Sequence, residues 1–267
     1  MNKNVIFCFS GTGNCLNFAQ NVAENIGGAD IIMMRKRPEI TDVTEAERVG
    51  FVFPCFGGGA PEDVLKYAKE IKVSPSAYTF GISMSASYAG IGLSSLNDII
   101  HLNYWATVTH QCSCIWLFPH DLMMPKLNVA DAQARSEKLA WEIAASIKLK
   151  RSKDKKPPRN PLNVLENNAW SGISSKKAAQ FKVNNDCIAC GQCVRLCPRE
   201  NIEIVDGKAK IGTNCIQCLS CLQFCPKNAI SIGEITDKRE HYHNPKVTAD
   251  DLTQSIIHVE SAFTKEK

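Results

Sequence analysis

FCFSGTGNCLNFAQ, residues 7 to 20, passes from an apolar run into a loop of glycines and small hydroxyl residues and then into a helical pattern. The apolar run reaches back to Asn4 and reads as a strand, NVIFCFS (4–10), while Leu16, Phe18, Ala19, Val22, Ala23 and Ile26 share one side of a helix over 14–26. Strand, glycine-bearing loop and helix in that order open a βαβ unit, and the alternation continues. ADIIMM (29–34), RVGFVFP (48–54), AYTFGISMS (77–85) and ATVTHQC, starting at 106, read as four more strands. PEDVLKYAKEI (61–71), a stretch near Gly92 to His101 and Val129 to Leu149 read as helices. The expected fold class is α/β, a doubly wound five-stranded parallel sheet over 1–150 with its ligand beyond the carboxyl ends of the strands. Residues 113–128 are long for a strand-to-helix connection and read as an insertion.

Three phosphate motifs compete for SGTGNC (10–15). A Walker loop ends in Gly-Lys-Ser/Thr, and here Asn14-Cys15 stands in that place with no lysine. A dinucleotide fingerprint needs a third glycine where Leu16 stands, and an acid after the second strand, which instead runs into MMRKR. What remains is a hydroxyl-rich loop ahead of a helix. Ser10 and Thr12 offer O–H donors, Gly11 and Gly13 let bare N–H groups curl inward, and the helix beginning near Asn14 adds its positive end. That set binds a dianionic phosphate without a cationic side chain.

The chain has 267 residues, 44% hydrophobic and 22% charged, with a net charge of +4, too weak to argue for nucleic acid or a membrane surface. No stretch is long and apolar enough to span a bilayer, and no secretory leader pattern opens the chain, so a cytoplasmic protein is expected. Thirteen cysteines are the abnormal number. In that compartment they are reduced or metal-bound rather than a disulfide scaffold.

Eight of them fall in a repeat: DCIACGQCVRLCPRENIEI and NCIQCLSCLQFCPKNAISI superpose with an offset of 28 residues, cysteine on cysteine. Each copy is C-x2-C-x2-C-x3-C-P. Spacing by three brings three thiolates of one tight loop onto three corners of a cuboidal cluster. A pair of zinc sites is the competing reading, but a third cysteine at x2 and a C-P in both copies have no use in a zinc ribbon. The stretch 184–232 resembles the bacterial two-cluster ferredoxins, small α+β domains in which the fourth cysteine ligates the other cluster. The resemblance implies that Cys187, Cys190, Cys193 and Cys225 hold one [4Fe-4S] cluster, and Cys197, Cys215, Cys218 and Cys221 the second.

The loop at 10–15 resembles the flavodoxin phosphate loop S/T-x-T-G-N-T: Ser10, Thr12, Gly13 and Asn14 match, and Cys15 departs from the usual hydroxyl residue. The resemblance implies FMN as cofactor and a flavodoxin-like domain. Its ring would be bordered by Pro54, Cys55, Phe56, Gly57 and Gly58 after the third strand, where consecutive glycines let backbone approach a flat ring. After the fourth strand, Met84, Ser85, Ala86, Ser87, Tyr88 and Gly90 would border it. A flavodoxin-like half followed by a two-cluster ferredoxin resembles the EFR-type fused proteins of anaerobes, including Met124-Pro125 within the insertion. This implies an iron–sulfur flavoprotein passing electrons between two [4Fe-4S] clusters and FMN, and on to a redox protein or a small-molecule donor or acceptor. An FMN-dependent reductase of a small organic substrate, with Trp116, Phe118 and Met123 as a lid, is the alternative. A sensor using its clusters structurally is a third. A homodimer is one arrangement that would bring the two domains together.

KLKRSKDKKPPRN (148–160) carries seven basic residues against one acidic and reads, with the polar stretch to 183, as a linker (151–183). The tail 233–267 carries a short helical pattern from Ala249 to Phe263. Cys8 reads as core packing, Cys112 and Cys114 as core and insertion packing, and His241 and His243 as solvated surface.

Overall fold

The computed structural model describes residues 2–35, 40–116, 128–237 and 239–262. Five parallel strands, β1 (Asn4–Cys8), β2 (Ala29–Met33), β3 (Arg48–Pro54), β4 (Tyr78–Ser85) and β5 (Tyr104–Thr109), lie side by side in the order β2-β1-β3-β4-β5. The order reverses at β1, which pairs with both β2 and β3, so the crevice of a doubly wound sheet opens at the loop that follows it. Alternation along each strand sends side chains to two cores. Ile6, Cys8, Ile31, Val52 and Ile82 pack under α1 (Asn14–Ile26) and α4 (Val129–Lys148). Val5, Phe7, Phe9, Phe51 and Phe53 pack on α2 (Glu62–Ala68) and α3 (Gly92–Asn97). Each of these four phenylalanines is fully buried and contributes on the order of 2–3 kcal/mol.

Beyond 150 the linker and tail readings need correcting. The segment read as a linker holds a long helix, α5 (Pro161–Ala178), started by Pro161 after the Asn160 cap, whose Oδ1 accepts from Leu162 N–H. Its hydrophobic periodicity is weak because it turns Asn163, Glu166, Asn167 and Trp170 toward the domain rather than an apolar stripe. The basic stretch before it lies along β5: Lys153 N–H donates to Asn103 O at 2.8 Å and its ammonium sits 4.0 Å from the Trp105 ring centre. Over the described part of the expected tail helix, 249–262, no α-helix forms. A 3-10 turn (Asp251–Thr253) leads into β10 (Ile256–Val259), which pairs antiparallel with β2 and makes the sheet six-stranded. Ile256 and Ile257 sit beside Ile32 and Ile31 in that register, a pairing partner that no local helix or turn signal reveals.

The cysteine repeat folds as two copies of one unit. The strands β6 (Phe181–Val183) and β8 (Lys208–Ile211) precede the two loops; β7 (Ile202–Val205) and β9 (Ile230–Ile232) follow them. β6 pairs with β9 and β7 with β8, all antiparallel. Short helices α6 (Gln192–Leu196) and α7 (Ser220–Gln223) lie between. The repeat extends to the backbone: positive φ recurs at Ala189 and Gln217, Gly191 and Leu219, and Glu200 and Asn228. Three residues per copy are thus held left-handed, a conformation rare for non-glycine side chains, because the loops must turn their sulfurs inward.

Candidate functional site

A cleft of about 950 Å³ opens at the carboxyl ends of β1, β3, β4 and β5. Its floor is the loop after β1, with Ser10, Gly11, Thr12, Asn14 and Cys15 in the lining. The loop after β3 supplies Pro54 to Gly58, and the loop after β4 supplies Met84 to Tyr88. Gly13 and Gly90 are not in the lining. Gly13 (φ 94°) starts α1, and its N–H donates to Ser10 Oγ at 3.1 Å. Accepting that bond leaves the Ser10 hydrogen free to donate into the cleft. The first-turn N–H groups of α1 have no intrahelical partner, so the helix presents donors and its positive end there. Gly90 (φ 62°) lies against the Gly58 backbone, where no side chain fits.

Two loop residues serve other ends than expected. Asn14 spends its side chain on neighbours: its Oδ1 accepts from Tyr242 Oη–H at 2.8 Å and Asn244 Nδ2–H at 3.1 Å, and its Nδ2 donates to Gln111 O at 3.3 Å. Its backbone N–H is what remains for an anion. Cys15, 3% exposed, joins the core beside Cys8, and burial, then Cys8, holds its thiol well above the usual range.

Sequence reasoning missed three parts of the wall. His110, Gln111, Cys112, Ser113 and Cys114 line it from beyond β5, so Cys112 and Cys114 face the cleft as well as the core. Glu166 and Trp170 of α5 close its outer side, and Gln217, Cys218 and Leu219 enter from the cysteine repeat. The glycines after β3 accommodate the helix: a Cβ on Gly57 would collide with the Trp170 ring, one on Gly58 with Glu166 and one on Gly59 with Asn167. A flat ring does lie against Gly57, and it is that of Trp170, itself stacked on Trp116 at 5.8 Å. Tyr88 Oη–H donates to Glu166, and burial, then that bond, pushes the phenol up. Burial, then Glu166, pushes the Cys55 thiol up to about 12. Of the expected lid, Trp116 is buried, and Phe118 and Met123 lie outside the described residues, as does the Met124-Pro125 pair.

The eight repeat cysteines ring two further cavities. Cys187, Cys190, Cys193 and Cys225 line one with Ile188, Ile204 and Ile230; Cys197, Cys215, Cys218 and Cys221 line the other with Ile202, Ile211 and Leu219. Three cysteines of each ring come from one loop and the fourth from the other copy. Among the described residues no three His, Cys, Asp or Glu side chains converge as a single metal ion requires. Backbone amides point at sulfur in the repeat's own pattern: Asn201 N–H to Cys197 Sγ and Ala229 N–H to Cys225 Sγ, both 3.3 Å. Burial pushes the Cys215 thiol up to about 12 and Cys193 up to about 11, so these sulfurs become thiolates only where a cation offsets the burial. Outside the repeat, His243 stacks on Phe224 at 4.3 Å, and His241 is half-buried with Nδ1 unpartnered.

The repeat and the α/β domain are in close contact. Cys218 and Leu219 line both the cleft and the second cysteine cavity. Ser220 Oγ–H donates to Gly11 O at 2.6 Å, Gln217 Nε2–H to Ser174 O at 3.2 Å, and Arg199 bridges Glu62 and Asp63 at the start of α2 at 3.1 and 2.6 Å. Leu196 and Phe224 complete the core under α1.

Residues 159–237 match the family model of the 4Fe-4S dicluster domain. That match begins just ahead of α5 and takes in the whole of that helix before the first cysteine. No curated protein matches the chain. Among solved structures, the chain is similar to the rubredoxin oxygen:oxidoreductase of the anaerobe Desulfovibrio gigas, with TM-score 0.36 and 15% identity over 56% of this chain and 37% of that one. It thus spans little more than a third of that enzyme. It is similar to an FMN-dependent NADH-azoreductase of Bacillus anthracis solved in complex with FMN, with TM-score 0.37 and 11% identity over 54% of this chain and 99% of that one. It is also similar to the Trp repressor binding protein of Bacillus subtilis, with TM-score 0.35 and 12% identity over 56% and 99%. No helix among the described residues is long and apolar enough to cross a membrane.

Proposed function

We propose that this chain is an electron-transfer iron–sulfur flavoprotein of the EFR-type fused kind, with FMN in the cleft and two [4Fe-4S] clusters in the cysteine cavities. Cys187, Cys190, Cys193 and Cys225 hold the first cluster; Cys197, Cys215, Cys218 and Cys221 hold the second. The observation that carries the reading is that Cys218 belongs both to the second cysteine cavity and to the wall of the cleft. The clusters supply one-electron exchange and FMN supplies both one- and two-electron exchange.

The chain's part is to bind, orient and shield. Ser10 and the first-turn amides of α1 hold the phosphate, while the loops 54–58 and 84–88 border the ring. Trp170 and Glu166 keep water from the outer side, and Ser220 fixes the Cys218 loop on Gly11. Four cysteines round each cavity, three from one loop and the fourth from the other copy, suit a cuboidal cluster better than the paired cysteines of a zinc ribbon. Anaerobically isolated protein should carry FMN and about eight irons, and Cys197→Ser about four. Protein with neither FMN nor iron overturns the reading.

The Tyr88–Glu166 pair at the cleft favours one second reading, an FMN-dependent reductase of a small organic substrate with Tyr88 as proton donor. Turnover of a quinone that falls in Tyr88→Phe, with flavin reduction by the clusters unchanged, distinguishes it from the carrier.

A further inference from the structure

Arg35 follows β2 and is 6% exposed, a guanidinium buried between the two halves of the molecule. Its Nη1–H groups donate to Ser10 O of the phosphate loop and to Ser220 Oγ at 3.0 Å; its Nη2–H donates to Leu196 O, next to Cys197. All three acceptors are neutral. Among the described residues no carboxylate pairs with it; burial weighs most against its charge, and the leading ionisable groups that favour the charge are Cys218, Cys197, Cys221 and Cys8. A buried cation without an anion costs several kcal/mol, so a missing negative charge belongs beside it. Three of those four groups are proposed ligands of one cluster, and a four-iron cluster with four thiolate ligands is anionic, more so when reduced.

The other cations near the two cavities are differently placed. Arg199 lines the second cavity but is neutralised by Glu62 and Asp63. Lys227 lines the first cavity and is exposed to solvent, where its charge is screened. Arg35 is therefore an unscreened charge acting on one cavity of an otherwise two-fold symmetric pair. Its counterpart position has no analogue in the repeat, because it comes from the α/β domain.

We infer that Arg35 is the counter-charge of the second cluster and holds its reduction potential above that of the first, so that electrons entering at the more exposed first cluster run toward the cleft. This inference rests on the two-cluster reading of the cysteines. A positive charge stabilises the more negative, reduced state, so removing it lowers the potential.

The test is a redox titration of the anaerobic holoprotein followed by electron paramagnetic resonance, with iron content measured on each sample and the first cluster's signal assigned from Cys190→Ala. Wild-type protein without about eight irons refutes the cluster reading itself. With both clusters present, Arg35→Gln should move the second signal to lower potential and leave the first in place, and Arg35→Lys should restore the wild-type value. Arg35→Met is the second neutral variant should the glutamine protein not hold both clusters. Loss of clusters from both neutral variants with retention in Arg35→Lys also supports a charge role. An unmoved second signal in a neutral variant, equal shifts of both signals, or the same loss of clusters in Arg35→Lys overturns the inference.

Discussion

The carbonyl of Cys218 stands where a Cβ on Gly11 would have to be. The loop after β1 and the second cysteine loop therefore touch backbone to backbone, and only the absence of a side chain permits it. Gly11→Ala should force the loops apart, destabilising the holoprotein by about 1–3 kcal/mol as an overpacked contact does. Under the proposed function it should also slow flavin reduction by the clusters. Anaerobic thermal unfolding checks the first effect and stopped-flow absorbance the second; unchanged values for both would mean the contact is not needed.

Gly57 combines a left-handed φ of 50° with the Trp170 ring against its missing Cβ. Gly57→Ala should cost about 1–3 kcal/mol and loosen α5 from the cleft. The Trp170 contribution to fluorescence should shift to the red as the indole meets water, with Trp170→Phe identifying that contribution.

Asn244 is fully buried and ties three parts of the chain: its N–H donates to Thr12 O at 2.8 Å, and its Nδ2–H groups to Asn14 Oδ1 and Gln133 Oε1, both at 3.1 Å. Asn244→Ala removes both Nδ2 bonds, leaving Gln133 Oε1 without its donor and Asn14 Oδ1 with Tyr242 alone, a loss of about 1–3 kcal/mol. Under the proposed function, FMN affinity should fall by about two- to tenfold if half of that loss reaches the loop. Fluorescence titration of FMN-depleted protein measures the Kd; an unchanged value would show that the loop is set by Ser10 and Gly13 alone.

His110 accepts from Gln111 N–H through Nδ1 at 2.8 Å and keeps Nε2 buried without a partner. Burial lowers its pKa to about 4. The unfolded chain takes up a proton near pH 6.5 that the folded chain refuses until about pH 4. Stability should thus fall as pH drops through that window, by about 1.4 kcal/mol per unit. The gap in Tm between His110→Gln and wild type should change in the variant's favour from pH 7.5 to 5.5. A constant gap would mean that His110 protonates in place.

Much of the α/β half was legible because its strands are short apolar runs and α1 places its apolar residues with helical period. The cysteine rings followed from a repeat whose spacing has few chemical uses. What stayed hidden depends on distant contacts. α5 carries no apolar stripe because its inward face is Asn163, Glu166, Asn167 and Trp170, fitted to glycines that read equally well as ring contacts. β10 is a strand only because β2 offers it an edge. Asn14 matched a family pattern, and its side chain was then claimed by Tyr242 and Asn244, more than two hundred residues away. Arg35 lay in a basic run after β2 that spoke only against a ribose-binding acid.

Asn244 and β10 also bear on synthesis. The loop after β1 gains its last hydrogen bonds from residues made after both cysteine loops. The amino-terminal half is thus not a freestanding flavodoxin to which a ferredoxin was appended. Its first loop is held by Tyr242 and Asn244, so the floor of the cleft is completed only once the whole cysteine repeat has been synthesised.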